Sequence, residues 1–263
     1  MNVEKKDEFI NLKVYDYIKD FRKKNKIIYN LLYELIDILR RCEAQIEKIG
    51  TKKNNVYLLA MLMQLNKFFQ SAILMFEHGL KDVGESLIRT CLELVIKIIE
   101  LIKNQDFIKD YELESFFEMR TTTKIMLDKQ IYDLVSKETL EKCLDFCNGK
   151  IGDKKRPNIK INNLIEKNGL YREYVLYRLH CNYTHQSIDQ MNNIISSNKF
   201  KVTIDGNFQL DKFNDSIAML ISVLIIVLPI FSPYCIFNPS DINVCNTCLI
   251  VSSLKIHVFK ADE

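Results

Sequence analysis

The chain is 263 residues long, which suits one domain. It contains only 7 Gly and 4 Pro, and this scarcity of helix-breaking residues predicts an all-α fold of long helices. Its formal net charge of +3, from 37 basic and 34 acidic side chains, is too even to imply nucleic-acid binding by itself. Eight Cys without a regular framework, and an N-terminus (MNVEKKDEFI) without an apolar signal segment, argue against a secreted disulfide scaffold and predict a cytoplasmic protein.

Five helices are predicted before residue 148. Apolar residues recur on one helix face from Ile28 to Leu39, within a segment rich in charged residues. Gly50 is predicted to end this helix. We interpret residues 1–50 as an N-terminal helical arm and residues 51–263 as a helical bundle domain. The further helices are predicted at about 55–80, from a cap at Asp82 to Lys103, and at 107–135 and 137–147.

The second half of the chain is predicted to hold a polar loop, further helices and a small hairpin. Residues 149–160, which include the basic run KIGDKKRPNIK, are interpreted as a solvated loop before helices at 161–167 and 171–195. The run KFKVTIDGNFQL has Asp-Gly between two alternating segments and predicts a β-hairpin near residues 200–210.

The most apolar segment of the chain is residues 217–231, IAMLISVLIIVLPIF. As a helix it would be about 22 Å long, which is short of the roughly 30 Å hydrocarbon core of a membrane. We therefore interpret it as the central buried helix of the bundle and expect no membrane partner. The alternative is a segment inserted into a membrane.

The helix predicted at 171–195 carries the first candidate site. Arg178 and His185 are separated by nearly two full turns and share one face, with Cys181 and Asn182 between them. This pair suits phosphodiester cleavage without a metal, because arginine neutralises charge on the phosphoryl oxygens. Histidine can take a proton from an attacking 2′-hydroxyl or deliver one to the leaving group. The alternative is a surface ion pair or a buried hydrogen-bonded pair.

A second polar pair lies in the apolar helix that contains IRTCLELV. Arg89 and Glu93 are four residues apart, so they stack on one helix face. Because lone buried charges are costly, such a pair must face solvent, a cleft or a partner. A structural salt bridge is the alternative interpretation.

Metal and nucleotide motifs give no stronger signal. Cys235, Cys245, Cys248 and His257 could supply four zinc ligands, but their spacing matches no common finger, so we predict no metal or cofactor and keep zinc as the alternative. The chain lacks GxxxxGK[ST], GxGxxG, HExxH and GxSxG, which argues against an ATPase, a dehydrogenase, a zinc protease and an α/β-hydrolase.

The chain carries Arg-x3-Glu in an apolar helix (Arg89, Glu93) and later Tyr-Arg-x6-His (Tyr177, Arg178, His185). This order of motifs resembles a bacterial all-helical family of unknown function. The Arg-x6-His element is similar to the Arg-x4-6-His motif of HEPN domains, although Leu179 follows the arginine where the usual form has a polar residue. Many HEPN proteins are metal-independent ribonucleases of toxin–antitoxin or phage-defence systems, and they are often active as dimers.

This resemblance implies that Arg178 and His185 are catalytic, with Arg89, Glu93, Tyr177 and Asn182 in support. It also implies RNA as a substrate, a homo-oligomer such as a dimer, and a partner protein such as an antitoxin. The rival hypothesis is a non-catalytic helical interaction module, in which the same side chains form a buried polar network that sets helix register.

Overall fold

The structure is a computed structural model that describes residues 26–50, 52–78 and 80–171. Outside these ranges it describes a few isolated positions: Ile18, Lys19, Arg22, Lys23, Tyr174, Val175, Tyr177, Arg178, Cys181, Ile195, Ser196, Lys201, Val202 and Ile221. His185, Asn182 and the possible zinc ligands Cys235, Cys245, Cys248 and His257 lie outside the described residues.

Six α-helices account for most of the described residues, which confirms the all-α class. They are α1 Lys26–Ile49, α2 Lys53–Glu77, α3 Lys81–Lys103, α4 Phe107–Asp128, α5 Lys137–Ile151 and α6 Ile161–Asn168. The described positions from Tyr174 to Cys181 are also helical. Two predicted boundaries were wrong, because α4 ends at Asp128 and not at residue 135, and α5 continues through Gly149 to Ile151.

The hairpin predicted near residues 200–210 is not supported. Lys201–Val202 (β2) pairs antiparallel with Ile195–Ser196 (β1), so the connection between these two-residue strands is formed by residues 197–200 and not by Asp205-Gly206. The Asp-Gly turn signal is local, whereas a strand's partner is chosen by contacts beyond the turn. The helix predicted at 171–195 must also end earlier, because Ile195 lies in β1.

The chain divides into two compact units. The first unit contains residues 1–95 and 172–263, and the second unit contains residues 96–171. The predicted boundary between an arm at 1–50 and a bundle at 51–263 stays a prediction. Of the segment 217–231, only Ile221 is described, and it is helical and buried.

In the first unit, α1 packs against α2. The predicted apolar stripe of α1 is its buried face, and Leu35 and Leu39 are fully buried in it. Among the described helices, α2 alone is long and apolar enough to span a membrane by length and composition. One such helix is weak evidence for a membrane span, because the core helix of a globular domain meets the same two criteria, and 44% of the most apolar window of α2 is buried in the protein.

Helices α2 and α3 approach each other closely at Gly84. A Cβ atom at this position would lie 2.6–2.8 Å from three ring carbons of Phe76, which is itself buried. Real Cβ atoms essentially never come so close to other heavy atoms. The absence of a side chain at Gly84 is therefore what allows the Phe76 ring to pack against α3.

In the second unit, α4 packs against α5 around a small core. Phe117, Cys147 and Ile151 are its buried members, and Leu113, Phe116 and Cys143 pack against them. Helix α5 begins after Ser136, whose hydroxyl accepts a hydrogen bond of 3.3 Å from the backbone N–H of Thr139. Helix α6 ends where the sequence predicts, because Gly169 adopts the left-handed conformation with φ +69°.

A buried carboxylate links α3 to α6 in the second unit. Glu100 is only 1% exposed and accepts hydrogen bonds from Asn168 at 2.8 Å, from Asn104 at 3.1 Å and from the ammonium of Lys167. Burial by itself raises the pKa of Glu100, but these three donors outweigh it and hold the pKa below its usual value of 4.5. These three donors therefore stabilise the negative charge of Glu100 in its buried position.

We expect Gly84→Ala to lower the free energy of unfolding by about 1–3 kcal/mol, because the new methyl group overlaps the Phe76 ring. The matched control is Gly149→Ala in α5, where a Cβ meets nothing within 4 Å. That change should raise the stability by roughly 0.5–1 kcal/mol through helix propensity. Chemical denaturation of both variants measures the difference, and equal effects would contradict the close approach of α2 and α3.

Acid should weaken the second unit through Glu100. Its folded-state pKa lies below the unfolded value, so its stabilisation is complete above that unfolded value and is lost as the pH falls through it toward the folded pKa. We expect Glu100→Gln to lower the melting temperature at neutral pH and to reduce the further loss below about pH 4.5. Glu138→Gln, which breaks an exposed pair with Lys142, is the control and should leave the acid-dependent loss intact.

Candidate functional site

The site begins with the ion pair of Arg89 and Glu93 in α3. Arg89 Nη2 lies 3.2 Å from Glu93 Oε1, as the spacing of four residues requires on a helix. Their side chains are 21% and 26% exposed, while Ile88 and Leu92 beside them are fully buried. The pair therefore occupies the edge of the apolar face of α3, where its charges are only partly removed from water.

Tyr177 is brought against this pair from the later part of the first unit. Arg89 Nη2 donates a hydrogen bond of 3.3 Å to Tyr177 Oη, across 88 residues of sequence. The Arg89 guanidinium carbon also lies 5.3 Å from the centroid of the Tyr177 ring, a cation–π distance. Tyr177 is 9% exposed, so its ring is buried while its hydroxyl is satisfied by Arg89.

The electrostatics of the cluster follow from these contacts. Burial raises the pKa of the Tyr177 phenol, and the nearby Glu93 charge adds to this, whereas the hydrogen bond from Arg89 opposes it. Burial by itself lowers the pKa of Arg89, but its hydrogen bond with Tyr177 and its electrostatic interactions with Tyr177, Cys181 and Glu93 outweigh it, so the pKa is raised. At neutral pH the cluster is a charged guanidinium held by a carboxylate and a neutral phenol.

Cys181 extends the same contact by one helical turn. It lies four residues after Tyr177, is 8% exposed and interacts electrostatically with both Tyr177 and Arg89. The prediction placed Cys181 only between Arg178 and His185 and gave it no role. Its spacing of four residues from Tyr177 is the signal by which it could have been recognised as part of the buried face.

Arg178 is exposed, although it is the next residue after the buried Tyr177. Consecutive helical residues point about 100° apart, so burial of Tyr177 turns Arg178 toward solvent. The structure thus brings Arg89, Glu93 and Tyr177 together and leaves Arg178 outside that cluster. His185 and Asn182 lie beyond the described residues, so their predicted place beside Arg178 stays a prediction.

Sequence reasoning did not identify Glu100 as a polar centre. Its only signal was an acidic residue inside the run VIKIIELI, which is apolar apart from Glu100 and Lys97. Its three partners lie within the second unit and satisfy its oxygens, which is the arrangement of a structural group. The ion pair of Arg89 and Glu93 therefore remains the candidate site.

Comparison with known proteins gives one match. Residues 55–202 match the model of a family whose description is "Family of unknown function (DUF5677)". This range covers more than half of the chain and contains all six predicted site residues. No curated protein and no solved structure gives a match. The resemblance to a family of unknown function is confirmed, and the family description assigns no activity.

We expect Tyr177→Phe to lower the free energy of unfolding by about 1 kcal/mol, because Arg89 loses a hydrogen-bond acceptor while the ring remains. Arg89→Met should cost more, about 2–3 kcal/mol, because Glu93 then loses its partner in a partly buried position. Tyr171→Phe, at an exposed tyrosine, is the control and should have little effect. In a double-mutant cycle, strictly additive losses for the Tyr177 and Arg89 changes would contradict the contact.

Proposed function

We propose that this chain, which belongs to the DUF5677 family of unknown function, is a HEPN-like helical protein that cleaves RNA without a metal ion. In this proposal Arg178 and His185 are the catalytic residues, and Arg89, Glu93, Tyr177 and Asn182 support them. The observation that carries the proposal is the contact of Arg89 with Tyr177. It anchors the helical segment that bears Arg178 to α3 and leaves Arg178 exposed to a large substrate.

The chemistry assigned to each residue follows from its charge. A phosphodiester gains negative charge on its phosphoryl oxygens as a 2′-hydroxyl attacks phosphorus, and the permanently charged Arg178 would stabilise that charge. His185 would take the proton of the attacking hydroxyl or supply one to the leaving oxygen. Because these two side chains provide both charge stabilisation and proton transfer, the proposed step involves no metal.

The setting of this activity is part of the same proposal. We propose a bacterial cytoplasmic enzyme that acts in phage defence or as a toxin, forms a homodimer, and is controlled by a partner protein such as an antitoxin. The exposed position of Arg178 supports this setting, since it leaves the residue accessible to RNA or to a protein that covers it.

A second candidate function is a non-catalytic interaction module. The observation in its favour is that Arg89 is already engaged by Glu93 and by Tyr177, so its guanidinium is used within the fold. In a module of this kind the cluster would fix the register of the segment at Tyr177 on α3. Substitution of Arg89 or of His185 by alanine would then lower the melting temperature of the protein.

The test compares RNA cleavage by the purified full-length chain and its variants. We expect His185→Ala to reduce cleavage of a fluorescently labelled RNA by at least about a hundredfold, because proton transfer in the transition state is lost. Arg178→Ala should give a loss of similar size through the lost charge stabilisation. Arg178→Ala should keep the melting temperature of the unchanged protein, since the Arg178 side chain is exposed, and His185→Ala is expected to stay folded.

Arg40→Ala is the matched control, because Arg40 is an exposed arginine of α1 whose Nη1 lies 3.8 Å from Asp37 Oδ1. It should cleave RNA at the rate of the unchanged protein. A folded His185→Ala variant with undiminished cleavage would remove the ribonuclease proposal and leave the interaction module.

A further inference from the structure

The second unit contains a cleft that is separate from the residues of the proposed RNA site. It has a volume of about 590 Å³ and is lined by residues of α3, α4, the loop that precedes α6 and the first residue of α6. This volume lies within the range of about 300–1,000 Å³ that is typical of small-molecule sites. The cleft is therefore large enough for an organic ligand, and its chemistry can be derived from its lining.

Positive charge dominates the cleft. Lys97, Arg156 and Lys160 line it, against a single lining carboxylate, Glu114. Arg156 is already balanced, because its Nε lies 3.0 Å from both carboxylate oxygens of Glu114 and its Nη2 also contacts Glu118. With Glu118 included, three basic and two acidic side chains leave the cleft a net charge of +1, and its cations without a carboxylate partner among the described residues are Lys97 and Lys160, so the cleft favours an anion.

Lys97 is held in place by an aromatic ring. Its ammonium lies 5.5 Å from the centroid of the Tyr111 ring, and both side chains are half-buried. A cation–π contact orients an ammonium group without neutralising its charge. Within the described part of the chain, neither Lys97 nor Lys160 forms an ion pair, so both charges remain unbalanced.

The rest of the cleft is less polar. Pro157, Ile159 and Ile161 are half-buried in its lining, beside the amide of Asn158. A ligand that fills the cleft therefore meets two ammonium groups and an apolar surface. Inorganic phosphate alone would satisfy the first feature and leave the second exposed to water.

We propose that this cleft binds an organic phosphate, with the phosphate near Lys97 and Lys160 and the organic part against Pro157, Ile159 and Ile161. A phosphate monoester carries close to two negative charges at neutral pH and so matches two ammonium groups better than a monocarboxylate does. The phosphate belongs either to a free small molecule or to the 5′ end of an RNA strand.

This inference does not rest on the proposed ribonuclease. All the residues of the cleft belong to the second unit, whereas the described members of the proposed RNA site belong to the first. Loss of cleavage in His185→Ala is thus a separate result from loss of phosphate binding in a cleft variant.

Isothermal titration calorimetry of the full-length chain tests the inference. The probes are inorganic phosphate, adenosine monophosphate, adenosine, and a 2′-O-methyl oligonucleotide with and without a 5′-phosphate, which cannot be cleaved at a 2′-hydroxyl. We expect adenosine monophosphate to bind more tightly than inorganic phosphate, and adenosine not to bind. High salt should weaken the binding, because the attraction is largely electrostatic and salt screens it.

Lys97→Gln with Lys160→Gln should weaken the binding of adenosine monophosphate by about tenfold or more, as expected for two lost charge-assisted contacts. Lys160→Gln alone changes an exposed side chain and should weaken it by a smaller factor in a fully folded protein. The matched control is Lys124→Gln with Lys129→Gln, two exposed lysines of the same unit that do not line the cleft. This control should bind like the unchanged protein.

The two sources of phosphate give different results. Tighter binding of the 5′-phosphorylated oligonucleotide than of adenosine monophosphate identifies RNA, and the reverse order identifies a free small molecule. The inference is overturned if no phosphate probe binds, if the unphosphorylated probes bind equally well, or if the control pair weakens binding as much as the cleft pair does.

Discussion

A charge that is buried in an apolar helix must be paired, and this constraint governs which segments lie against α3. The helix is buried along most of its length, yet it carries Arg89, Glu93 and Glu100 among its aliphatic residues. Leaving the buried Glu100 unpaired would cost several kcal/mol, on the order of the stability of a small domain, and the partly exposed Arg89 and Glu93 would cost less. The residues that pair with these charged groups therefore contribute strongly to the arrangement of segments around α3.

The partners come from far along the chain in each unit. In the first unit, Arg89 engages Tyr177, which is 88 residues away. In the second unit, Glu100 engages Lys167 and Asn168, which are 67 and 68 residues away. Long-range polar contacts of this kind select one arrangement among the many that apolar faces alone would allow. Each unit thus has a polar contact that places its later segment on α3.

The same principle acts at the end of α2. Glu77 is 1% exposed, and Arg22 binds both of its carboxylate oxygens, at 2.7 and 2.8 Å. This bidentate bond raises the pKa of Arg22 above its already high value, so the guanidinium remains charged. Pairing also determines which neighbouring residue is exposed, because burial of Tyr177 against Arg89 leaves Arg178 at the surface.

The sequence by itself determined the class of fold and most helix positions, because both depend on residues a few places apart. The apolar spacing of α1 and α3 identified their buried faces, and Asn168-Gly169 marked the end of α6. Two helix ends were predicted wrongly because the local signals were missing or misleading. Helix α4 ends at Asp128 with no glycine after it, and Gln130 takes the positive φ of +52° that a glycine would usually adopt. Helix α5 continues through Gly149, where a glycine would usually indicate a helix end.

Only the tertiary structure decided which polar groups meet. The pairing of Arg89 with Glu93 follows from helix geometry, but the addition of Tyr177 requires two segments to come together in space. The same holds for the partners of Glu100, for the pairing of Lys201–Val202 with Ile195–Ser196, and for the cleft beside Lys97. The physical reason is that helix formation depends on near neighbours, whereas these contacts depend on how the apolar faces of distant segments pack.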